Sequence, residues 1–161
     1  MRHYGFVVTF TVLGLVAGCS DGTGPAGPGS TSFDDLSGTW AGEVTGTSQD
    51  FTLEAAFFLT AAQEEGQLSG TWASAGTVTG PGIGTAGVEG AGTFTATVER
   101  GNDPAVSATF VRPDCNYSTQ FAGTYSTANG RMTMSGNFDV MDPGDCSVLL
   151  TFPTTVVVDR Q

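Results

Sequence analysis

The most constraining feature of this sequence is an alternation of apolar and polar residues with a period of two. The segment 51–60, FTLEAAFFLT, has an apolar residue at every second position, and the same pattern returns at 93–99, 106–110 and 132–140. Side chains two residues apart lie on the same face of a β-strand, so the pattern predicts strands with one buried and one exposed face. No segment has an apolar stripe of 3.6-residue period and helical length. We therefore expect an all-β fold.

Clusters of Gly, Pro, Asn and Asp divide the chain between these segments. The turn signals fall at residues 46–49, 63–67, 80–84, 101–104, 113–116, 127–130 and 142–145. Short strands with such regular punctuation are typical of an antiparallel meander closed into a barrel, or else of a β-sandwich. We expect about eight strands in a small closed barrel. The glycines of residues 77–91 leave the strand count open there.

Two details qualify this strand assignment. Helix propensity competes with alternation at residues 53–65, LEAAFFLTAAQEE, where we prefer a strand that runs into the turn Glu64-Glu65-Gly66. The last strand, predicted over 147–159, contains Pro153. Because proline donates no backbone hydrogen bond, it indicates a bulge or an edge position.

A glycine stands two residues before an aromatic residue at five places. LSGTW occurs at 36–40 and again at 68–72, and looser copies begin at Gly92, Gly123 and Gly136. Each glycine shares a face with its aromatic residue, and apolar neighbours indicate that this face is the interior. Glycine beside a large side chain permits the coiling and the mixed side-chain sizes that a small barrel needs. The middle Thr or Asn then faces solvent. The copies follow no fixed period, which excludes a repeat array.

The first 18 residues have the pattern of an export signal. Arg2 precedes a 14-residue apolar stretch at 5–18, which is too short to span a bilayer as a helix but suits the core of a signal peptide. It ends in Val16-Ala17-Gly18-Cys19, which resembles the lipobox of bacterial lipoproteins. That resemblance implies a signal peptide over 1–18 and a lipidated Cys19; the alternative is an ordinary signal peptide beside an unrelated cysteine.

The segment after Cys19 has the composition of a flexible spacer. Residues 21–32 are Gly, Pro, Ser, Thr and Ala with one Asp, so residues 19–33 read as a lipidated cysteine and a disordered linker, followed by a domain over 34–161. Two or more acyl chains would anchor such a protein to a membrane. By the lipoprotein resemblance, Ser20 favours the outer membrane of a bacterial cell envelope.

Composition excludes several classes of function. Without residues 1–18 the chain has four arginines, no lysine and 16 carboxylates, a net charge of −12, which makes nucleic-acid binding improbable. The only histidine, His3, lies in the signal. Such a domain lacks the usual general base, Schiff-base amine and transition-metal ligand, so we expect no enzyme, cofactor or metal site. Acidity itself favours solubility.

The remaining cysteines and carboxylates have structural explanations. Cys115 and Cys146 are an even pair in an exported chain and predict one disulfide rather than a metal or redox site. Asp142 and Asp145 are the closest carboxylate pair, but Asp-Pro-Gly-Asp also favours a turn. Calcium binding there or at Asn102-Asp103 is conceivable, although the carboxylates are too sparse for a recognisable loop.

The repeated motif also carries a family resemblance. Gly38-Thr39-Trp40 resembles the Gly-x-Trp opening of calycin barrels, the lipocalins and avidins, and LSGTW…QLSGTW is similar to the first and third strands of bacterial avidin-like chains. The Cys115…Cys146 region resembles lipocalin-like domains of bacterial lipoproteins. Residues 41–44 do not match the Asn and Ser that avidins place after this motif, which argues against biotin binding.

Two functions follow from these observations. The first is a lipid-anchored, lipocalin-like barrel that holds a small apolar ligand; the second is a non-catalytic structural or protein-interaction module of the envelope, such as an inhibitor-like barrel. An eight-stranded barrel is either filled by its own side chains or holds one small ligand. The side chains that would form either the ligand wall or simply the core are Trp40, Phe57, Trp72, Phe94, Phe121 and Met134.

Overall fold

The structure, a computed structural model, describes residues 33–161. The predicted signal peptide, Cys19 and nearly all of the linker lie outside the described residues. The strands are β1 (Gly38–Ser48), β2 (Phe51–Glu64), β3 (Gln67–Gly80), β4 (Gly84–Val98), β5 (Ala105–Arg112), β6 (Tyr117–Ser126), β7 (Arg131–Met141) and β8 (Val148–Arg160). A 3-10 turn, Pro113–Cys115, joins β5 to β6. Within the described part, no helix is long and apolar enough to cross a membrane.

The eight strands form a closed antiparallel barrel in sequence order, and β8 returns to pair with β1. The predicted all-β class and barrel are thus confirmed, and the sandwich alternative is wrong. Residues 77–91 contain one hairpin, the end of β3 and the start of β4, which settles the strand count there. The segment 53–65 belongs to β2 and its turn, so the strand reading of this segment is confirmed.

Pro153 lies at a local edge of the sheet. It pairs with Asn137 of β7, whereas pairing between β8 and β1 begins only at Thr154. Its missing N–H therefore costs no hydrogen bond to β1. The β-bulge of this strand pair is elsewhere, between Val140 and Met141 of β7.

Alternation along the strands places one continuous set of side chains inside the barrel. In β2, every second residue from Leu53 to Ala61 is buried. The interior has a large cluster around Trp40 and a smaller one made of Leu53, Val78 and Phe152. In all five Gly-x-aromatic copies the middle Thr or Asn is exposed, as expected.

Four of the five glycines of the repeated motif, all except Gly38, let neighbouring strands approach closely. A Cβ built on Gly70 would lie 1.8 Å from the carbonyl oxygen of Thr60 in β2. At Gly92 the same atom would lie 1.9 Å from the Val111 carbonyl oxygen and 3.0 Å from Nε1 of Trp72, which donates a hydrogen bond to that carbonyl at 3.3 Å. Only glycine therefore fits these positions without a backbone shift.

One end of the barrel is closed by the residues that precede β1. Leu36 is fully buried, and its carbonyl oxygen accepts a hydrogen bond from Nε1 of Trp40 at 3.1 Å. Arg160, at the end of β8, donates to the carbonyl oxygens of Asp35 and Ser37 at 3.0 and 2.6 Å. The guanidinium of Arg100 lies 4.6 Å from the ring centre of Phe33. The Gln161 amide donates to the Thr39 carbonyl oxygen at 2.9 Å, so the first and last described residues both lie at this end.

At the opposite end of the barrel, where β3 turns into β4, the strands on one side are shorter and the barrel wall is therefore lower there. β4 has 15 residues but β5 has only eight, and β4 pairs with β5 from Thr93 onward. Residues 84–92 of β4 therefore pair with β3 alone. Likewise residues 137–141 of β7 pair with β8 alone, because pairing of β6 with β7 stops at Gly136.

The predicted disulfide spans this low side. Cys115, in the 3-10 turn after β5, is bonded to Cys146, in the loop between β7 and β8, with 5.4 Å between the Cα atoms. It links the short wall to the taller β7–β8 hairpin. The prediction of one Cys115–Cys146 disulfide is confirmed.

Candidate functional site

A large cleft occupies the open end of the barrel. Its volume is about 1040 Å³, and it lies between the β3–β4 hairpin and the β7–β8 hairpin above the low wall. Its lining residues are Phe51, Ala75, Gly76, Val78, Ile83, Ala86, Gly87, Val88, Glu89, Arg112, Phe138, Asp139, Val140, Met141, Pro143, Leu149 and Leu150. Most of them are apolar, and the cleft is thus a candidate site for an apolar molecule.

The walls of the cleft are the outer side of the smaller core cluster. Phe51, Val88 and Val140 are half-buried because they pack on that cluster with one side and face the cleft with the other. At the rim, Ile83 and Leu149 are 49% and 57% exposed. Apolar side chains gathered around a concave surface indicate a binding function more than isolated exposed residues do.

A small chamber lies at the floor of the cleft. It measures about 20 Å³, and Arg112, Phe138 and Asp139 line both it and the cleft. The other walls of the chamber are Phe57, Trp72, Phe110, Tyr117, Thr119 and Phe121. The floor therefore places two charged side chains between an aromatic core and an apolar cleft.

Hydrogen bonds from β6 hold these floor residues where β6 and β7 are unpaired. The Tyr117 hydroxyl donates to Oδ2 of Asp139, and the Thr119 hydroxyl donates to the Asn137 carbonyl oxygen at 2.8 Å. Burial, followed by the hydrogen bond to Asp139, raises the pKa of Tyr117 to about 12. Tyr117 is therefore a neutral donor over the whole physiological pH range.

Arg112 approaches the floor from the end of β5. Its terminal nitrogen forms an ion pair with Asp114 at 3.0 Å, and that guanidinium lowers the pKa of the exposed Asp114 carboxyl group. Within residues 33–161, two buried atoms of the floor have no hydrogen-bond partner, Nε of Arg112 and Oδ1 of Asp139. One donor and one acceptor of the floor residues are thus enclosed by protein without a partner in this part of the chain.

The six residues expected to form the ligand wall or the core are all buried. Trp40, Phe94 and Met134 line an enclosed space of only about 10 Å³ in the closed half of the barrel. The other three lie closer to the open end of the barrel and form the aromatic side of the chamber; they are Phe57, Trp72 and Phe121. None of the six lines the large cleft.

An aromatic cluster fills the middle of the barrel and separates its two halves. Phe110 lies at its centre, with ring centres 5.7, 6.0, 5.6 and 5.4 Å from those of Phe57, Trp72, Phe94 and Phe121 respectively. Most of these pairs meet edge to face, an arrangement that aromatic rings favour. The barrel below the chamber is consequently packed with side chains.

The carboxylate pair of the β7–β8 loop stabilises its own turn. Oδ1 of Asp142 accepts a hydrogen bond from the Gly144 amide at 2.7 Å, and Oδ1 of Asp145 accepts one from the Ser147 amide at 2.9 Å. The latter contact lowers the pKa of Asp145. Asp103 similarly accepts from the Thr127 amide at 2.9 Å. The described residues contain no group of three or more His, Cys, Asp or Glu placed to hold a metal ion.

Sequence reasoning missed the residues that form the cleft and its floor. Arg112, Tyr117 and Asp139 stand near strand ends and belong to no motif. The turn positions alone could have indicated the cleft. The turns at 101–104 and 113–116 enclose a short strand, whereas the turns at 80–84 and 101–104 enclose a strand about twice as long. Neighbouring strands of unequal length imply that the barrel wall is lower on one side.

Comparisons of the chain with protein-family models, with curated proteins and with solved structures find no match.

Proposed function

We propose that this protein is a lipid-anchored binding barrel of the bacterial cell envelope, which holds a small apolar ligand in the cleft at the open end. The cleft itself is the observation that carries the proposal. Pockets for small molecules occupy roughly 300–1,000 Å³ and combine mostly apolar walls with a few polar groups. The cleft has about 1040 Å³, apolar walls and a polar floor.

The position of the ligand differs from the one expected from the sequence. A lipocalin-like barrel would hold its ligand deep inside, against residues such as Trp40 and Met134. Those side chains enclose only about 10 Å³, too little for any organic ligand. The ligand we propose lies above the aromatic cluster, against Phe51, Val88 and Val140.

The envelope location is supported by the sequence Val16-Ala17-Gly18-Cys19 and by the disulfide, which is typical of exported proteins. The described chain starts at Phe33 beside Arg100, at the closed end of the barrel. A lipid on Cys19 would hold the protein by that end, with the cleft at the opposite end of 14-residue strands such as β2. The ligand would then enter from the side facing away from the membrane.

The ligand proposal is tested by filling the cleft. Ala86 of β4 is exposed and lines the cleft, whereas Ala91 of the same strand is exposed on the outer face. We expect Ala86→Trp to weaken binding of the neutral apolar dye N-phenyl-1-naphthylamine at least tenfold, and Ala91→Trp to leave it unchanged. Fluorescence titration measures both. Equal dye binding by the two variants would place the dye elsewhere and contradict the proposal.

The lipid anchor has a separate test. We expect Cys19→Ser to abolish labelling by radioactive palmitate and to move the protein from the membrane fraction to the soluble fraction. Cys146→Ser removes a different cysteine and should keep the label. Unchanged label and membrane retention in the Cys19→Ser variant would refute the anchor.

A protein-interaction role is the second candidate, favoured by the unpaired edge of β4. Among the strands of residues 33–161, none pairs with the hydrogen-bonding groups of residues 84–92 on the β5 side. Extended segments of partner proteins bind to such edges. Native mass spectrometry of protein purified from its own host separates the two candidates. A retained small molecule supports the first, and a protein complex lost on Gly87→Lys supports the second.

A further inference from the structure

The upper part of the β7–β8 hairpin is a two-stranded ribbon, with no further strand beside it among residues 33–161. Residues 137–141 of β7 pair only with β8, and β8 pairs with β1 only from Thr154 onward. We call residues 137–153 the ribbon. A two-stranded ribbon is marginally stable by itself, so the position of this one depends on what holds it to the barrel.

Side-chain contacts hold the lower part of the ribbon. Phe138 packs against both core clusters, and Val140 and Leu150 pack against the smaller one. The carbonyl oxygen of Asn137 and the carboxylate of Asp139 accept hydrogen bonds from β6. None of these contacts involves the disulfide. The lower part of the ribbon should therefore keep its place whether or not the disulfide is present.

The tip of the ribbon, residues 142–149, is held differently. The turn within the tip makes hydrogen bonds to itself, since the amides of Gly144 and Cys146 both donate to Asp142. The β-bulge of β7 interrupts the strand pairing just before the tip begins. The disulfide from Cys146 to Cys115 ties the tip to the low wall of the barrel.

Two features indicate that the tip needs this bond to keep its position. Cys146 has a φ of 60°, in the left-handed region, which a cysteine adopts at a cost in free energy and keeps only where its surroundings impose it. Val148 and Leu149 are 49% and 57% exposed, so apolar packing contributes little at this end of β8. Without the disulfide, Cys146 can relax and the tip can move.

Because the tip forms part of the cleft wall, we propose that the Cys115–Cys146 disulfide controls ligand binding in the cleft. With the bond intact, Pro143 and Leu149 complete the wall that faces the β3–β4 hairpin. Reduction frees the tip, so the wall is complete in only a fraction of the molecules, and the apparent affinity falls by that fraction. The barrel stays closed. This inference rests on the proposed ligand-binding function and adds its regulation by redox state.

The chemical step is thiol–disulfide exchange with a dithiol. Both cysteines are only partly buried, so the bond is open to a small reductant. One thiolate of the dithiol attacks a sulfur of the disulfide, the S–S bond breaks, and a mixed disulfide forms. The second thiolate of the dithiol then displaces the remaining cysteine. The dithiol becomes a cyclic disulfide, and its two electrons and two protons end on the two cysteine thiols.

The test compares ligand binding by the oxidised and the reduced protein. The full chain carrying Cys19→Ser is used, because its remaining cysteines are Cys115 and Cys146. We expect dithiothreitol to weaken binding of N-phenyl-1-naphthylamine at least about tenfold, as when the wall is complete in about a tenth of the reduced molecules. Fluorescence titration measures both affinities.

A variant without the disulfide is the control for the reductant. It carries Cys115→Ser and Cys146→Ser in addition to Cys19→Ser. We expect it to bind the dye as weakly as the reduced protein, and with the same affinity whether or not dithiothreitol is present. A further loss of affinity on adding dithiothreitol to this variant would show that the reagent acts elsewhere, and would overturn the inference.

Hydrogen exchange followed by mass spectrometry distinguishes release of the tip from unfolding of the barrel. We expect reduction to speed the exchange of amides in residues 142–149 and to leave those of β2 and β3 unchanged, since pairing of these strands does not involve the disulfide. Faster exchange throughout β2 and β3 would mean that the bond stabilises the whole barrel, which would overturn control through the tip.

The binding results also separate this inference from the function on which it rests. Equal dye affinity of the oxidised and the reduced protein would overturn redox control and leave the ligand-binding function intact. Failure of both forms to bind the dye would contradict the ligand-binding function, and the inference would fall with it.

Discussion

Replacing Phe110 with alanine is expected to lower the free energy of unfolding by about 3–5 kcal/mol, the usual range for a fully buried phenylalanine. Phe110 is only 3% exposed and contacts four other aromatic rings. Its removal leaves a cavity in the middle of a closed barrel, where strands paired on both sides cannot collapse to fill it. Urea denaturation followed by tryptophan fluorescence measures the loss.

Phe58 provides the matched control for this substitution. It is also a phenylalanine within a central strand, but it is 51% exposed on the outer face of β2. We expect Phe58→Ala to cost less than about 1 kcal/mol, since half of this side chain already faces solvent and its removal leaves no enclosed cavity. If Phe110→Ala were as mild as Phe58→Ala, the aromatic cluster would not be the centre of the core.

Replacing Gly70 with alanine is expected to destabilise the protein by about 3 kcal/mol, at the upper end of the cost of inserting one methyl group into a packed site. The new Cβ would lie 1.8 Å from the Thr60 carbonyl oxygen, and no rotation of a side chain relieves a contact with backbone. Strands β2 and β3 would have to separate at a point where the barrel curves. The stability change is measured by thermal and urea denaturation.

Gly87 gives the opposite expectation for the same substitution. A Cβ on Gly87 meets no atom of the described residues within 4 Å, and the backbone of Gly87 has no positive φ. Gly87→Ala should therefore be neutral or stabilise the protein by up to about 1 kcal/mol, because alanine has less freedom in the unfolded chain. Equal losses at Gly70 and Gly87 would contradict the close approach of β2 and β3 at the second LSGTW copy.

Much of the fold was predictable because it depends on local patterns. The period-two alternation of residues 51–60 determines which side chains are buried, and a one-residue error would have reversed every face. The glycine before Trp72 indicates close strand contact for the same local reason. Cysteine pairing was predictable because the export signal expected at the N-terminus, with Cys19 assigned to lipidation, leaves only Cys115 and Cys146 to pair.

The candidate site depends on long-range register, which local patterns do not contain. Arg112 and Asp139 share a chamber only because β5 stops early and because β7 continues past the end of its pairing with β6. The interior positions that alternation identified, such as Trp40, are those that pack most completely. Hydrophobic patterning finds the core, and a binding cleft forms where the core is left incomplete.

Pairing of the first strand with the last has a consequence for how the chain folds. The contact between Arg160 and Asp35 joins residues 125 positions apart, and β1 has no second partner until β8 arrives. Contacts of such sequence separation slow folding towards milliseconds to seconds, since a long loop must close before they form. The edges of β1 and β7 stay unpaired until β8 joins them, so closure of the barrel awaits the last strand of the described chain.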